Sequence, residues 1–193
     1  MTSIAVFCGS STGNHKAYAE AAFHTGKAIA MAGMKVIYGG ARVGLMGQVA
    51  DGALSAGGEV IGVIPSFLKT KEIVHNHLTA LIIVETMHER KLQMHELSSG
   101  IITLPGGFGT MEEMFEMLTW AQLGLHPKPM GLLNTNGFYD HLCQQVQVMT
   151  DEGFLRDTDA QRLLVASDVD KLLALMASYT APEAPKWITE ETT

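Results

Sequence analysis

The sequence predicts a three-layer α/β fold, in which helices cover both faces of a mostly parallel β-sheet. Its short apolar runs are continuous rather than alternating, which is typical of strands buried on both faces. Helical segments separate most of these runs, so successive strands are connected by crossovers. With 193 residues, of which 47% are hydrophobic and 17% charged, the chain is long and apolar enough for one core. We predict one domain over residues 1–179, followed by a loose tail over residues 180–193.

The strands and helices are predicted in chain order. The strands are Ile4–Cys8, Val36–Tyr38, Val60–Ile64, Leu81–Val84, Ile101–Leu104 and Met130–Leu133. The helices are Lys16–Ala32, Leu45–Ala56, Met87–Ser98, Thr110–Leu123, Phe138–Asp151 and Val169–Tyr179. Asp168 precedes the last helix and is a residue type that caps helix N-termini. The connection Pro65–Thr79 has little internal pattern, and loops of this length in compact domains are often lids or binding loops.

The composition excludes several classes of protein. Thirteen Lys and Arg against 20 Asp and Glu give a formal net charge of −7, whereas nucleic-acid binders normally carry a basic face. No apolar run reaches membrane-spanning length and no signal segment is apparent, so we expect a cytoplasmic protein with no membrane partner. Cys8 and Cys143 form no CxxC pair, and His75-x-His77 lacks a third ligand. We therefore expect no metal and no cofactor.

The strongest signal for function is the run PGGFGTMEE at residues 105–113, directly after a predicted strand. Its glycines leave the backbone open to a ligand, and Thr110 is predicted to open a helix whose free N–H groups suit a phosphate. The run is neither a Walker A loop nor a GxGxxG dinucleotide motif. The spacing of Thr110 and Glu113 has two interpretations. One is a capping box, in which Glu113 bonds back to the helix start; the other is a catalytic carboxylate beside an anion site.

Two other loops follow predicted strands. GGARVGLMG at residues 39–47 indicates either a tight turn with close helix packing or backbone donors that face a ligand. GSSTG at residues 9–13 has the GxSxG pattern of serine hydrolases. Because this loop follows the first strand and its hydroxyls suit ribose or phosphate equally well, we reject an esterase. The residues that we predict for a phosphate or ribose loop are Ser10, Gly40, Gly44, Met46 and Gly47.

A pair of adjacent cations begins another predicted helix, in the run MHERK at residues 87–91. At the carboxyl edge of the sheet, Arg90 and Lys91 are suited to an anionic substrate and to a partner carboxylate. The alternative interpretation is that both cations belong to a solvated helix face.

Taken together and in this order, GGARVGLMG, MHERK and PGGFGTMEE resemble the Lonely Guy family of cytokinin riboside 5′-monophosphate phosphoribohydrolases. The similarity spans roughly Ile4 to Leu175. The resemblance implies a Rossmann-like fold and a homodimer with active sites near the subunit interface. It also implies hydrolysis of the N-glycosidic bond of a nucleoside 5′-monophosphate, which releases adenine or an N6-substituted adenine and ribose 5-phosphate.

The resemblance also assigns roles to individual residues by their position in these motifs. Arg90 and Glu113 match the catalytic pair of the family. The positions that match its substrate contacts are Glu72, Arg90, Lys91, Gly107, Phe108, Gly109, Thr110, Met111, Glu112, Glu113 and Thr119. The substrate partner expected on this basis is a small nucleotide.

Two other functions compete with this expectation. Many bacterial members of the family were once labelled lysine decarboxylases, but a pyridoxal-phosphate enzyme needs a Schiff-base lysine in a larger scaffold, and we reject that function. A non-catalytic carrier of a nucleotide or of the molybdenum cofactor has a similar fold. A carrier needs a phosphate loop but no acid at the ribose, so the pair Arg90 and Glu113 favours the enzyme.

Overall fold

The computed structural model describes residues 1–69 and 73–183. Seven strands form one sheet: β1 (Ser3–Phe7), β2 (Lys35–Tyr38), β3 (Val60–Pro65), β4 (Ala80–Val84), β5 (Gly100–Thr103), β6 (Met130–Leu133) and β7 (Leu163–Ala166). Their order across the sheet is β4-β3-β2-β1-β5-β6-β7, and neighbouring strands pair in parallel. The structure therefore confirms the predicted α/β class and the parallel sheet.

Seven α-helices accompany the strands within the described residues. They are α1 (Lys16–Met31), α2 (Gly44–Ser55), α3 (Met87–Leu97), α4 (Phe108–Gln122), α5 (Asp140–Asp151), α6 (Asp157–Ala160) and α7 (Val169–Ser178). Short 3₁₀ turns cover Ser66–Leu68 and Thr135–Gly137. The six predicted strands lie within one residue of the observed ones, and the six predicted helices are present with ends shifted by at most two residues.

Strand β7 and the short helix α6 are absent from the prediction. β7 is an edge strand that pairs with β6 alone, and its residues are only partly buried. The other edge strand, β4, is likewise only partly buried, but its sequence ALIIV is richer in β-branched residues than the LLVA of β7 and gives a stronger strand signal. The predicted cap of α7 is confirmed, because the Asp168 carboxylate accepts hydrogen bonds from the amides of Asp170 and Lys171 at 3.1 Å.

The helices divide between the two faces of the sheet. Apolar side chains from α1, α2 and α7 pack on one face, over residues such as Val6 and Val36. Met94 of α3 and Met117 of α4 pack on the other face, over Phe7 and its neighbours. Both layers are tightly filled, since β1 and β5 are buried throughout and β2 exposes only Lys35.

Helices α1 and α2 approach each other closely because each presents a glycine to the other. A Cβ atom on Gly26 would lie 1.9 Å from the Val49 carbonyl oxygen, and one on Gly52 would lie 1.9 Å from the Phe23 carbonyl oxygen. This contact fixes the start of α2 beside the loop after β1, where the Leu45 amide donates to the Gly9 carbonyl at 3.1 Å. None of the helices in residues 1–69 and 73–183 combines the length and apolarity needed to cross a membrane.

Candidate active site

The loops that follow β1, β2 and β5 meet at one edge of the sheet. Because β2 and β5 lie on opposite sides of β1, the order of strand addition reverses there. Open α/β sheets bind their ligands outside the carboxyl ends of the strands at such a switch point. The three loops, Met46 at the start of α2, residues of α3 from Met87 to Met94 and the first two turns of α4 line a cleft of about 310 Å³.

Arg90 reaches the cleft from α3. Its Nε donates to the Val63 carbonyl oxygen at 3.1 Å, and its guanidinium passes directly over Gly39. A Cβ atom on Gly39 would lie 1.8 Å from Arg90 Nη2. The glycine after β2 is therefore needed for the arginine to occupy this position, and it fixes the direction in which the guanidinium points.

Glu113 faces Arg90 from the second turn of α4. The distance from Glu113 Oε1 to Arg90 Nη1 is 3.9 Å, and both side chains are largely buried. Burial raises the pKa of Glu113 to about 7, although the positive charge of Arg90 opposes this change. The cleft thus contains a carboxyl group that exchanges its proton near neutral pH, next to a permanent cation.

The N-terminus of α4 differs from its prediction, because the helix begins at Phe108 and not at Thr110. Its N-cap is Gly107, which has extended backbone and provides no side-chain cap. Thr110 is therefore the third helical residue and Glu113 the sixth, so the capping-box interpretation of this pair is wrong. Thr110 packs instead against Gly106, where a Cβ atom would lie 2.1 Å from the threonine hydroxyl oxygen.

The start of α4 presents backbone donors to the cleft. The first helical hydrogen bond of this segment runs from the Met111 amide to the Gly107 carbonyl at 3.1 Å, so the preceding amides point to the space before the helix. Cβ atoms on Gly107 or Gly109 would meet nothing within 4 Å. This open, donor-rich end with its positive helix dipole is suited to a phosphate.

Lys91 lies beside the cleft, not among the residues that line it. Its side chain is buried, and its Nζ contacts Glu112 Oε1 at 2.5 Å and Glu116 Oε2 at 2.9 Å. Burial alone would lower the pKa of Lys91, but the two carboxylates outweigh it and the pKa is raised. Lys91 therefore joins α3 to α4 and holds Glu112, which does line the cleft.

The structure brings most of the other predicted site residues to the cleft and leaves a few outside it. Ser10, Met46 and residues 107–110 line the cleft together with Glu112. Met111 faces away and packs beside Met114, and Thr119 is exposed farther along α4. Glu72 lies outside the described residues.

The three glycines predicted for a second loop support the backbone around the cleft. Gly44 has a φ of +59° and lies against Ser10, where a Cβ atom would be 2.2 Å from the backbone carbonyl carbon. A Cβ atom on Gly47 would collide with the Arg42 carbonyl, and Gly40 has a φ of +77°. Their participation in ligand binding stays a prediction.

Several residues that line the cleft were not predicted as site residues. They are Cys8 and Gly9 after β1, Gly39 after β2, and Met87 and Met94 on α3. Their positions directly after a strand, or on the helix that carries Arg90, could have identified them. Burial raises the pKa of the Cys8 thiol, so this group is neutral at physiological pH.

The paired histidines of the sequence have another role in the structure. His75 Nε2 lies 3.1 Å from Asp51 Oδ1, and His75 Nδ1 accepts from the His77 amide at 3.2 Å. These contacts attach the end of the connection before β4 to α2. Over the described part of the chain, no three His, Cys, Asp or Glu side chains are grouped as a metal site would require.

Comparison with known proteins gives matches over most of the chain. A protein-family model described as "Possible lysine decarboxylase" matches residues 46–176. The cytokinin riboside 5′-monophosphate phosphoribohydrolase of Rhodococcoides fascians is 46% identical over 91% of this chain and 89% of its own length. The enzyme of that name from Arabidopsis thaliana is 42% identical over 91% of this chain and 83% of its own length.

Solved structures with the same fold are more distant in sequence. The molybdenum cofactor binding protein of Rippkaea orientalis has a TM-score of 0.70 and 23% identity, covering 92% of this chain and 96% of that protein. The molybdenum cofactor carrier protein of Chlamydomonas reinhardtii has a TM-score of 0.69 and 23% identity, covering 91% of this chain and 95% of that protein. At this identity, the likeness establishes the fold alone.

The family model covers well over half of the chain, and the named relatives are far more similar to it than the solved carriers are. They confirm the resemblance that the three motifs indicated. The chain therefore belongs to the Lonely Guy family, which includes the cytokinin riboside 5′-monophosphate phosphoribohydrolases.

Proposed function

We propose that this protein hydrolyses the N-glycosidic bond of cytokinin riboside 5′-monophosphates and releases the free base and ribose 5-phosphate. The observation that carries the proposal is the pair Arg90 and Glu113, whose charged atoms lie 3.9 Å apart in a cleft at the switch point of the sheet. The printed names of relatives at 46% and 42% identity support the same activity.

The phosphate of the substrate is placed at the start of α4. The amides of residues 108–110 and the positive end of the helix dipole provide an anion site that needs no side-chain cation. Glu113 lies about one turn farther along the same helix, so a phosphate held there places the ribose close to its carboxyl group. Binding energy from the phosphate, which takes no part in the reaction, then positions the reacting carbon.

Glu113 is the residue to which we assign the chemical step. As the bond from C1′ to the base nitrogen breaks, its electron pair leaves with the base and the ribose acquires oxocarbenium character. An ionised Glu113 stabilises this positive charge and accepts a proton from the water whose oxygen bonds to C1′. The departing base takes up a proton from the solvent, Glu113 releases to the solvent the proton that it accepted, and ribose 5-phosphate remains.

Arg90 has two functions in this proposal. Its positive charge favours the ionised form of Glu113, because it opposes the effect of burial on the Glu113 pKa. Its Nε also donates to the Val63 carbonyl oxygen and its guanidinium lies against Gly39, so its position relative to the sheet is fixed. A fixed cation of this kind costs no reorganisation during the reaction.

The test is chromatographic detection of free base after incubation with AMP or isopentenyl-AMP. We expect base release by the wild type, a loss of at least about 100-fold in kcat for Glu113→Gln, and nucleotide affinity within a few-fold of the wild type. Gln keeps the shape of the side chain and removes its charge. Glu20→Gln, on an exposed residue of α1, is the matched control and should keep full activity.

Either of two outcomes would contradict the proposal. One is tight nucleotide binding without base release by the wild type, which would favour the carrier function. The other is undiminished turnover by Glu113→Gln, which would remove the carboxylate from the chemistry. Arg90→Ala with normal activity would likewise remove Arg90 from the catalytic pair.

We further propose that the working unit is a homodimer formed through α3 and α4. Four large apolar side chains are exposed on or next to these helices: Leu92, Phe108, Phe115 and Leu125. Thr119, for which the resemblance implies a substrate contact, lies on the exposed face of α4 and does not line the cleft of its own chain. In a dimer through this face, Thr119 would approach the cleft of the second copy.

A further inference from the structure

One side of the cleft is formed by sulfur-containing side chains. Met87 is the first residue of α3, and its Sδ lies 3.9 Å from Arg90 Nη1. Met46 of α2 reaches the same place, because a Cβ atom on Gly39 would lie 3.0 Å from Met46 Sδ. Met94 closes the floor and is fully buried. We call Met46, Met87 and Met94 the methionine wall.

The methionine wall lies next to the place assigned to the glycosidic bond. The start of α4 supplies the donors for the phosphate, and Arg90 with Glu113 marks the position of C1′. The base is bonded to C1′, so it must leave this pair toward a neighbouring part of the cleft. Both Met46 and Met87 lie against the guanidinium of Arg90, and their thioether groups provide an apolar surface there.

Methionine has properties that suit a purine with a variable substituent. Its thioether is polarisable and makes favourable contacts with aromatic rings. Its unbranched side chain has three rotatable bonds and adapts to groups of different shape. Met46 and Met87 are both only partly buried, so each can contact a ligand, whereas Met94 is fully buried.

On the basis of the function proposed above, we propose that Met46 and Met87 bind the base and its N6 substituent and thereby set the preference between prenylated and plain adenine nucleotides. The contact is apolar, so a bound isopentenyl group gains from burial against the wall and a bare amino group does not. An added apolar group in such a pocket typically changes kcat/KM by roughly 10- to 200-fold.

The test compares kcat/KM for isopentenyl-AMP and AMP in a set of methionine variants. Met87→Ala should lower the ratio of the two values by roughly tenfold, because it removes the surface that the prenyl group contacts. Met87→Leu keeps the apolar volume and should keep most of the ratio. Met31→Ala, on α1 at a residue that is 73% exposed and outside the cleft, is the matched control and should change neither value.

A second variant, inhibition by the free bases and melting temperatures distinguish an effect on base binding from an effect on folding. Met46→Ala should lower the ratio in the same direction as Met87→Ala. Inhibition by the free bases should move in parallel, with isopentenyladenine losing affinity relative to adenine in both variants. Melting temperatures near that of the wild type would show that the comparison concerns the site.

The results distinguish failure of this inference from failure of the proposed function. An equal fall for both substrates in Met87→Ala and Met46→Ala would overturn the inference, because it would mean that the methionines only support Arg90. An unchanged ratio together with unchanged inhibition by the bases would also overturn it. Base release by the wild type is measured in the same experiment, and its absence would instead contradict the hydrolase function.

Discussion

Two opposing influences act on the carboxyl group of Glu113. Burial between α4 and the sheet disfavours the charged form, and the guanidinium of Arg90 favours it. Burial is the stronger of the two, so the pKa lies near 7 and not near its ordinary value of 4.5. A general base with a pKa close to the working pH combines a useful fraction of the ionised form with a strong tendency to accept a proton.

The first prediction concerns the pH dependence of this residue. If ionised Glu113 is the active form, kcat/KM should rise with pH through about 7 and level off above it. Arg90 lowers the pKa of Glu113, so Arg90→Ala should move the midpoint to higher pH in addition to lowering the rate. Because a phosphate monoester of the substrate titrates near pH 6, the measured quantity is the difference between the profiles of the two proteins.

Steady-state assays from pH 5 to pH 9 with isopentenyl-AMP would provide these profiles. A midpoint that moves to lower pH in Arg90→Ala, or that stays unchanged, would contradict the assigned electrostatic role. Glu20→Gln serves again as the control, and its profile should coincide with that of the wild type.

Helix caps show what sequence spacing alone can and cannot identify. Thr110 and Glu113 have the spacing of a capping box, but the helix starts two residues before Thr110 because Gly107 adopts the N-cap position without a side chain. A reciprocal arrangement occurs instead at α3. There the Thr86 hydroxyl accepts from the Glu89 amide at 3.1 Å, and the Glu89 carboxylate accepts from the Glu85 amide at 2.8 Å. In both pairs the threonine and the glutamate are three residues apart. The spacing therefore does not distinguish the capping pair from the other pair, and only the position of the helix start does.

At the scale of elements, the contact between α3 and α4 determines the geometry of the cleft. Arg90 and Lys91 are adjacent on α3, yet they point to different partners: Arg90 to Glu113 across the cleft, and Lys91 to Glu112 and Glu116 beside it. The Lys91 contacts therefore hold the first turns of α4 at a fixed distance from α3.

The second prediction is that Lys91→Ala destabilises the protein by about 2 kcal/mol. Removing one partner of a buried ion pair costs about 3–5 kcal/mol, whereas exposed pairs contribute about 0–1 kcal/mol. The Lys91 side chain is 5% exposed, but Glu112 and Glu116 are 56% and 26% exposed, which places the expected loss between these ranges. Urea unfolding of both proteins at pH 7 would measure it.

Lys16→Ala is the matched control for this measurement. Lys16 pairs with Glu20 on the surface of α1, and its side chain is 90% exposed, so its removal should not change the free energy of unfolding measurably. Equal stabilities of Lys91→Ala and the wild type would show that α4 is held by its apolar contacts and not by the lysine.

The elements differ in how well their sequences identify them. The six predicted strands are apolar, and each was placed within one residue of its observed position, although one of them, the edge strand β4, is only partly buried. β7 lies at the other edge of the sheet, and its sequence LLVA holds a single β-branched residue, so its strand signal is weaker. The same limit applies to Gly39, whose function depends on the approach of Arg90 from a helix about 50 residues away in sequence. Local spacing contains no information about that contact.

At the scale of the whole molecule, the strand order explains why separate motifs form one site. The loops after β1, β2 and β5 are far apart in the chain, but a parallel sheet places all their strand ends on the same edge. The sequence predicted that the glycine loops follow strands, and the strand order brings those loops together. It did not predict which face of α4 would remain exposed, because that depends on what packs against the helix outside its own sheet.

The exposed face of α4 is the main apolar feature of this edge. Phe108 is 96% exposed and Phe115 37%, and Leu92 on α3 and Leu125 just after α4 are also exposed. Contiguous apolar patches on soluble proteins often mark interaction sites. In the dimer proposed above, a second copy of the chain would cover these side chains and bring Thr119 to the neighbouring cleft, and assembly would then be linked to activity.

The third prediction follows from this link. Phe115→Glu introduces a charge into the proposed interface, so it should convert a wild-type dimer to a monomer and lower kcat/KM by at least about tenfold, with the circular dichroism spectrum unchanged. Val148→Glu makes the same change on α5, at a residue that is 50% exposed and outside the α3 and α4 face, and it should affect neither property.

Light scattering during size-exclusion chromatography measures the mass of each protein. A wild-type monomer, or a Phe115→Glu dimer with full activity, would contradict assembly through this face; dissociation by Val148→Glu alone would place the interface on α5.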